Sequence, residues 1–214
     1  AEESAQKLIA EGWKAASIEI DVSNSGHISR MMQFAVEKFG ALDILVNNAG
    51  IYPNSPMMQM NEESFDRVLA VNLKSTFMAT KAAAAQMIKQ GRGGKIINIT
   101  SIDAVHPSMV GLAAYDSSKH GMWGFTKNTA LELAPHQIWV NAIAPGGVAT
   151  PGTGMGGGMT PEMTESMKPF LNKIPMHRMG EADEIGKVAL FLASDLSSYM
   201  TGAQIVVDGG VLLA

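Results

Sequence analysis

The chain has 214 residues, 46% of them hydrophobic and 17% charged, with a net charge of −4 and no cysteine. That length and apolar content suit one α/β domain with a sizeable core and speak against a second. Mild acidity without a basic cluster argues against nucleic acid, and no apolar run approaches the roughly 20 residues of a membrane span. Without cysteine there is neither disulfide nor thiolate chemistry.

In chain order, residues 1–12 have the pattern of a helix closed by glycine, and 16–22 alternate like a strand. A helix is predicted over about 26–39. The apolar strand 42–46 then runs into Asn47-Asn48-Ala49-Gly50, a polar, small-residue turn that lets a ligand approach the backbone. Residues 62–89 read as one long helix, in which Asn72 is a mediocre helix former that needs a reason. Residues 94–100 read as a buried, β-branched strand that delivers Ser101 at its C-terminal end. A helix over 114–133, a strand over 138–143, a glycine-rich insert at 152–158 and a short Met-rich helix at 161–171 follow. A helix over 182–193 and a strand over 203–207 complete the chain. The alternation predicts a parallel sheet with helices on both faces. The five histidines show no metal-ligand spacing, so no metal site is expected.

Tyr115 and Lys119 are four apart, which places phenol and ammonium on one face of a helix. A cation about 4 Å from the phenol, at an effective dielectric of about 20, is worth roughly 4 kcal/mol, or about three pKa units. That would bring tyrosine from a pKa of about 10 to where proton exchange with an alcohol or carbonyl is efficient. Ser101 is a candidate hydroxyl donor beside it, or else a strand cap. Asn72 is a third candidate, its alternative being a helix residue satisfied by a neighbouring carbonyl.

These segments, in this order, resemble the short-chain dehydrogenase/reductase family in its compact single-domain branch. Asn47-Asn48-Ala49-Gly50 matches the NNAG motif, Asn72, Ser101, Tyr115 and Lys119 fall where the catalytic tetrad falls, and Pro145-Gly146-Gly147-Val148-Ala149-Thr150 matches the PGxVxT segment. Val207-Asp208-Gly209-Gly210 matches the usual close. One departure is visible: Ser101 stands fourteen residues before Tyr115, one more than the family pattern, an insertion that the loop 102–112 would absorb.

The resemblance implies a Rossmann-like, doubly wound parallel sheet in one domain, 1–214, with 151–172 as a substrate lid. It implies an NAD(P)-dependent oxidoreductase interconverting a secondary alcohol and a ketone, with Tyr115 as general acid/base. NAD is slightly preferred over NADP. Lys119 would lower the Tyr115 pKa and bond the nicotinamide ribose, and Asn72 would distort its helix so that a carbonyl can hold a relay water. Asp21 and Val22 would meet adenine, with a helix N-cap as the competing role for Asp21. Asn48, Ala49 and Gly50 would line the adenosine ribose, and Pro145, Gly146, Val148 and Thr150 the carboxamide and phosphate. Ser101, His106, Met155 and Met159 would face a partly apolar substrate, with Met109, Val110, Met163 and Met167 nearby. Asp208 is expected to be structural. A cytoplasmic homo-oligomer, dimer or tetramer, is implied, with the helices 62–89 and 114–133 as a dimer face. The family's opening strand, glycine-rich turn and helix have no counterpart here, so the first two strands are expected to be absent. The rival expectation is a non-catalytic binding or regulatory relative that has lost the dinucleotide site.

Overall fold

The structure, a computed structural model, describes residues 1–150 and 167–214. Helix α1 (Glu2–Ala10) and helix α2 (Ser25–Phe39) precede strand β1 (Ile44–Asn47). Asn24 caps α2 by accepting hydrogen bonds from the Gly26 and His27 amides, and left-handed Gly40 ends it. Helices α3 (Glu62–Leu69) and α4 (Ser75–Gln90), strand β2 (Gly94–Ile99), helix α5 (Ala113–Leu133) and strand β3 (Ile138–Pro145) follow. Strands β4 (Val148–Ala149) and β5 (Gly180–Glu181) form a small parallel pair, and helix α6 (Ala182–Ala193) leads to strand β6 (Gln204–Val207).

The main sheet is parallel throughout, in the order β1-β2-β3-β6. One face is covered by α2, α4 and α5, with Ile28, Met87, Ile96, Ala130 and Val140 packed between them. Against the other face, α6 packs Leu192 on Ile97 and Ile143. This is the Rossmann-like arrangement expected of the alternating pattern. Across the sheet, Asn47 donates to Asn98 (2.8 Å) and to Thr80 (3.1 Å), and Asn98 donates to Thr126 (2.8 Å). These interior amides are thereby satisfied, as buried polar groups must be.

Two expectations need correction. Residues 16–22 form no strand, because a strand needs a ladder neighbour about 4.8 Å away and none lies beside this segment among the described residues. Asp21 and Val22 instead belong to a turn, in which the Asn24 amide bonds the Asp21 carbonyl (3.1 Å). The helix expected over 62–89 is broken by a π-helical turn, Ala70–Lys74, centred on Asn72. The short helix at 167–171 lies within the predicted 161–171; the glycine-rich stretch 152–158 falls outside the described residues.

Candidate active site

Parallel strands put all their C-terminal ends on one side, where ligands of open α/β sheets bind. The Thr100 amide still bonds the Ile143 carbonyl (2.8 Å), and the chain then turns at Ser101 into a short 3-10 turn, Ile102–Ala104. Ser101 caps that turn: its Oγ accepts from the Asp103 amide (3.1 Å) and donates to Asp103 Oδ2 (2.7 Å). Tyr115 sits in the first turn of α5, with Ser101 close enough to its hydroxyl to favour the ionised phenol. The extra residue between them is therefore taken up by the loop, where Gly111 has φ +95° and its missing Cβ would lie 2.6 Å from the Asn54 side chain. Asn54 Nδ2 donates to the Val110 carbonyl (2.9 Å), and the Ser55 amide to that of Gly111 (2.9 Å), pinning the loop.

Lys119, one turn after Tyr115, is 4% exposed. Its Nζ donates to the Ile99 carbonyl (2.7 Å) and stands 5.5 Å from the centre of the Tyr115 ring. Asn72 is fully buried; its Oδ1 accepts from the Ile51 amide (2.8 Å), while Nδ2 donates to the Ile51 carbonyl (2.9 Å) and to Ser118 Oγ (3.0 Å). Ser118 in turn donates to the Tyr115 carbonyl (2.7 Å). One amide thus locks the segment after β1 to α5, and the π turn, a feature often found at functional sites, is the helix deformation that accompanies it.

The electrostatics differ from the expectation. Burial, foremost, pushes the Tyr115 phenol up to about 12, opposed by the Ser101 hydrogen bond and reinforced by Asp103, Asp116 and Tyr52. Burial brings the Lys119 ammonium down to about 8, with Asp103 opposing. Lys119 does not lower Tyr115 here, because it is itself desolvated and turned to the Ile99 carbonyl. Asp103, Asp116 and Tyr52 had not been singled out. Asp103 was foreseeable from the Ser-x-Asp capping pattern. Tyr52, whose ring meets that of Tyr115 edge-on at 6.1 Å, carries no local signal. Burial also raises the Asp116 carboxyl, whose Oδ1 is buried without a hydrogen bond.

Beyond β1, Asn48, Ala49 and Gly50 are exposed. A Cβ on Gly50 would lie 3.4 Å from Asn72 Oδ1 and 3.7 Å from Lys119 Nζ, so the exposed backbone here runs close beside the asparagine and the ammonium. After β3, a Cβ on Gly146 would lie 2.8 Å from the Asp208 backbone, which explains the glycine following Pro145. Val148 pairs with Gly180, and Val148 and Thr150 are half-buried. Asp208 accepts from the Gly210 (2.8 Å) and Leu212 (2.9 Å) amides, closing the turn after β6. Asp21 is exposed and caps no helix; its carboxylate takes the Ser23 amide (2.9 Å) and hydroxyl (2.7 Å), which, with Arg67 at 3.5 Å, hold its pKa down. Val22 packs at the edge of the core. His106, Met109 and Val110 are exposed on the loop, with His106 Nδ1 3.0 Å from the Pro107 carbonyl. Met155, Met159 and Met163 lie outside the described residues, and Met167 is half-buried.

Residues 1–212 match a family model described as Enoyl-(Acyl carrier protein) reductase. The chain is 36% identical, over 215 residues, to the uncharacterized oxidoreductase YohF of Escherichia coli, covering 100% of itself and 82% of that protein. The chain belongs to the short-chain dehydrogenase/reductase family. A 3-oxoacyl-[acyl-carrier-protein] reductase, FabG of Thermotoga maritima, is 40% identical over 195 residues, 91% of this chain and 76% of that protein. A crystal structure of a putative short-chain alcohol dehydrogenase from Sinorhizobium meliloti superimposes with a TM-score of 0.89 at 35% identity, covering 99% of this chain and 82% of that one. This family member is an oxidoreductase with a Rossmann-like fold, in a family that generally uses NAD(P)H. Among the described residues no helix is long and apolar enough to cross a membrane.

Proposed function

We propose that the protein interconverts a secondary alcohol and a ketone, with Tyr115 as general acid/base. The observation that carries this is the junction of two elements: the Ser101 hydroxyl at the end of β2 meets the Tyr115 hydroxyl at the start of α5, with a buried ammonium one turn further on. The exposed backbone at 48–50, with the Lys119 ammonium close to Gly50, fits a nicotinamide dinucleotide, NAD or NADP, which when bound supplies or accepts the hydride. Asn48, Ala49, Gly50, Pro145, Gly146, Val148 and Thr150 would hold it, Asp21 and Val22 its adenine, and Lys119 its nicotinamide ribose. In reduction, the Tyr115 hydroxyl gives its proton to the carbonyl oxygen as charge builds there, and Ser101 donates a second hydrogen bond to the same oxygen. In oxidation the Tyr115 oxygen takes the proton back. Asn72 holds the deformed helix and the segment after β1 against α5, which keeps Lys119 and Tyr115 in register. His106, Met155 and Met159 are assigned to the substrate side, with 151–172 as its lid.

Among the described residues β1 is the edge of the sheet, and its Ile44 and Val46 are each 44% exposed, where strands of parallel sheets are normally covered on both faces. Assembly into a dimer or tetramer is supported by exposed apolar groups on α4 and α5, including Phe77, Ile88 and Leu131. A cytoplasmic setting accords with the lack of cysteine.

The test is oxidation of NADH and NADPH by the full-length protein with a 3-oxoacyl thioester, a small cyclic ketone and a keto sugar. Turnover with one cofactor and at least one ketone is expected. A folded protein that binds the dinucleotide and reduces none of them would overturn the proposal, and one that binds neither cofactor would favour the non-catalytic rival.

A further inference from the structure

The segment after β1 carries a large ring left half in solvent. Tyr52 is 48% exposed, and its ring meets that of Tyr115 edge-on, 6.1 Å between centroids. Exposure does not leave it loose, because the chain is fastened on either side of it. Ile51 is gripped at both its amide and its carbonyl by the Asn72 side chain (2.8 and 2.9 Å). Asn54 Nδ2 donates to the Val110 carbonyl (2.9 Å) and the Ser55 amide to the Gly111 carbonyl (2.9 Å), which ties the segment to the loop before α5. That loop adds two more exposed apolar side chains, Met109 and Val110, and the Met109 sulfur lies 3.9 Å from Asn54 Nδ2. Neither residues 51–60 nor residues 105–112 include a lysine, arginine, aspartate or glutamate.

We infer that Tyr52 is a specificity-determining residue: its ring receives an apolar or aromatic ring that an uncharged substrate carries beside its ketone. This rests on the reading of Tyr115 as the group that meets the carbonyl. A carbonyl oxygen about 2.7 Å from the Tyr115 hydroxyl brings its flanking groups beside Tyr52, since the two tyrosine rings are themselves in contact. Rings with centroids about 4.5–7 Å apart attract one another beyond the area they bury. A substrate ring placed there also removes apolar surface of Tyr52 from water. A carboxylate or phosphate in the same place would find no cation on either segment, and would lose hydration without compensation. The clamps at Ile51 and at Asn54 and Ser55 hold the ring's backbone in place before the substrate arrives, so less ordering is left to be done on binding.

The test compares kcat/KM for cyclohexyl methyl ketone, which has a ring beside the carbonyl, with that for butanone, which has none. Wild type should favour the ring ketone. In Tyr52→Ala the ratio of the two should fall by about tenfold or more, the scale of an apolar contact in a specificity pocket, and any effect common to both substrates cancels. Tyr52→Phe keeps the ring and should restore the ratio to within a few-fold of wild type. A folded Tyr52→Ala whose ratio stays within about twofold of wild type would overturn the proposal. Should Tyr52→Ala not fold, the wild-type ranking decides: a higher kcat/KM for acetoacetate or a keto sugar than for cyclohexyl methyl ketone overturns it, and the reverse order upholds it. A second arm needs no turnover. Calorimetry of cyclohexyl methyl ketone with the protein and oxidised dinucleotide, a complex with no hydride to give, should show binding that Tyr52→Ala weakens about tenfold. If no ketone is reduced, the proposed activity fails, while this binding arm still decides the role of Tyr52: undetectable binding, or binding unchanged by Tyr52→Ala, contradicts it.

Discussion

Tyr115→Phe should lower turnover by about a hundredfold to ten-thousandfold, the range for loss of a positioned general acid or base. Dinucleotide affinity should stay within a few-fold, because the residues assigned to the cofactor are untouched. The ring keeps its edge-on contact with Tyr52 and its place under the Lys119 ammonium. What disappears is the hydroxyl alone, and with it the proton that the proposed reaction exchanges. Because the phenol is buried, its removal leaves a better-matched apolar group, so the melting temperature should not fall by much. Steady-state kinetics with cofactor titration separates these effects. Turnover within about threefold of wild type would remove Tyr115 from the acid/base role.

Lys119 should leave a signature in the pH dependence of stability. Folding lowers this ammonium from the ordinary lysine value of 10.5 to about 8, chiefly by burial. Below about 8 the group is charged in both the folded and unfolded states, and the folded state bears the full cost of burying that charge. Between about 8 and 10.5 the unfolded chain holds the proton and the folded one releases it, so stability rises with pH. The total is about 3 kcal/mol, from about 1.4 kcal/mol per pKa unit. Lys119→Met lacks this rise. The unfolding free energy of wild type relative to Lys119→Met should therefore increase by about 3 kcal/mol across that window. Tyr115 acts in the opposite sense only at higher pH: its folded value of about 12 exceeds the ordinary 10, so its contribution is lost above 10. A difference that stays flat in urea titrations between the two limits would mean that Lys119 is not desolvated as described. Lys119→Met should also be impaired in turnover, since the cation beside the phenol is gone.

Much of this was legible in the sequence because the repeat of apolar strand and amphipathic helix is local. Helix α6 spans the 182–193 read from its pattern, and the helix read at 114–133 starts one residue earlier, at Ala113. Tyr115 and Lys119 could be paired from helical spacing alone. Other features depend on partners far along the chain. Residues 16–22 alternate like a strand, but alternation does not supply a neighbour to bond. The π turn at 70–74 follows from a clamp between Asn72 and Ile51, twenty-one residues away; the sequence shows only that an asparagine is out of place. The charge environment was the least legible. Two residues four apart on a helix suggest an ammonium that activates a phenol, whereas desolvation of both outweighs their attraction in the protein alone, and Asp103 adds a charge of the opposite effect.

The phenol must therefore be brought down by something that joins the site, and the oxidised nicotinamide is the cation the proposed function supplies. The most direct test is the ionisation of Tyr115 in the full-length protein with and without oxidised dinucleotide, isolated by subtraction of Tyr115→Phe. A positive ring about 4 Å from the phenol, at an effective dielectric of about 20, should move the midpoint from about 12 to about 9. A midpoint that remains near 12 with the dinucleotide bound would contradict the assignment of Tyr115 as the group that exchanges the substrate proton.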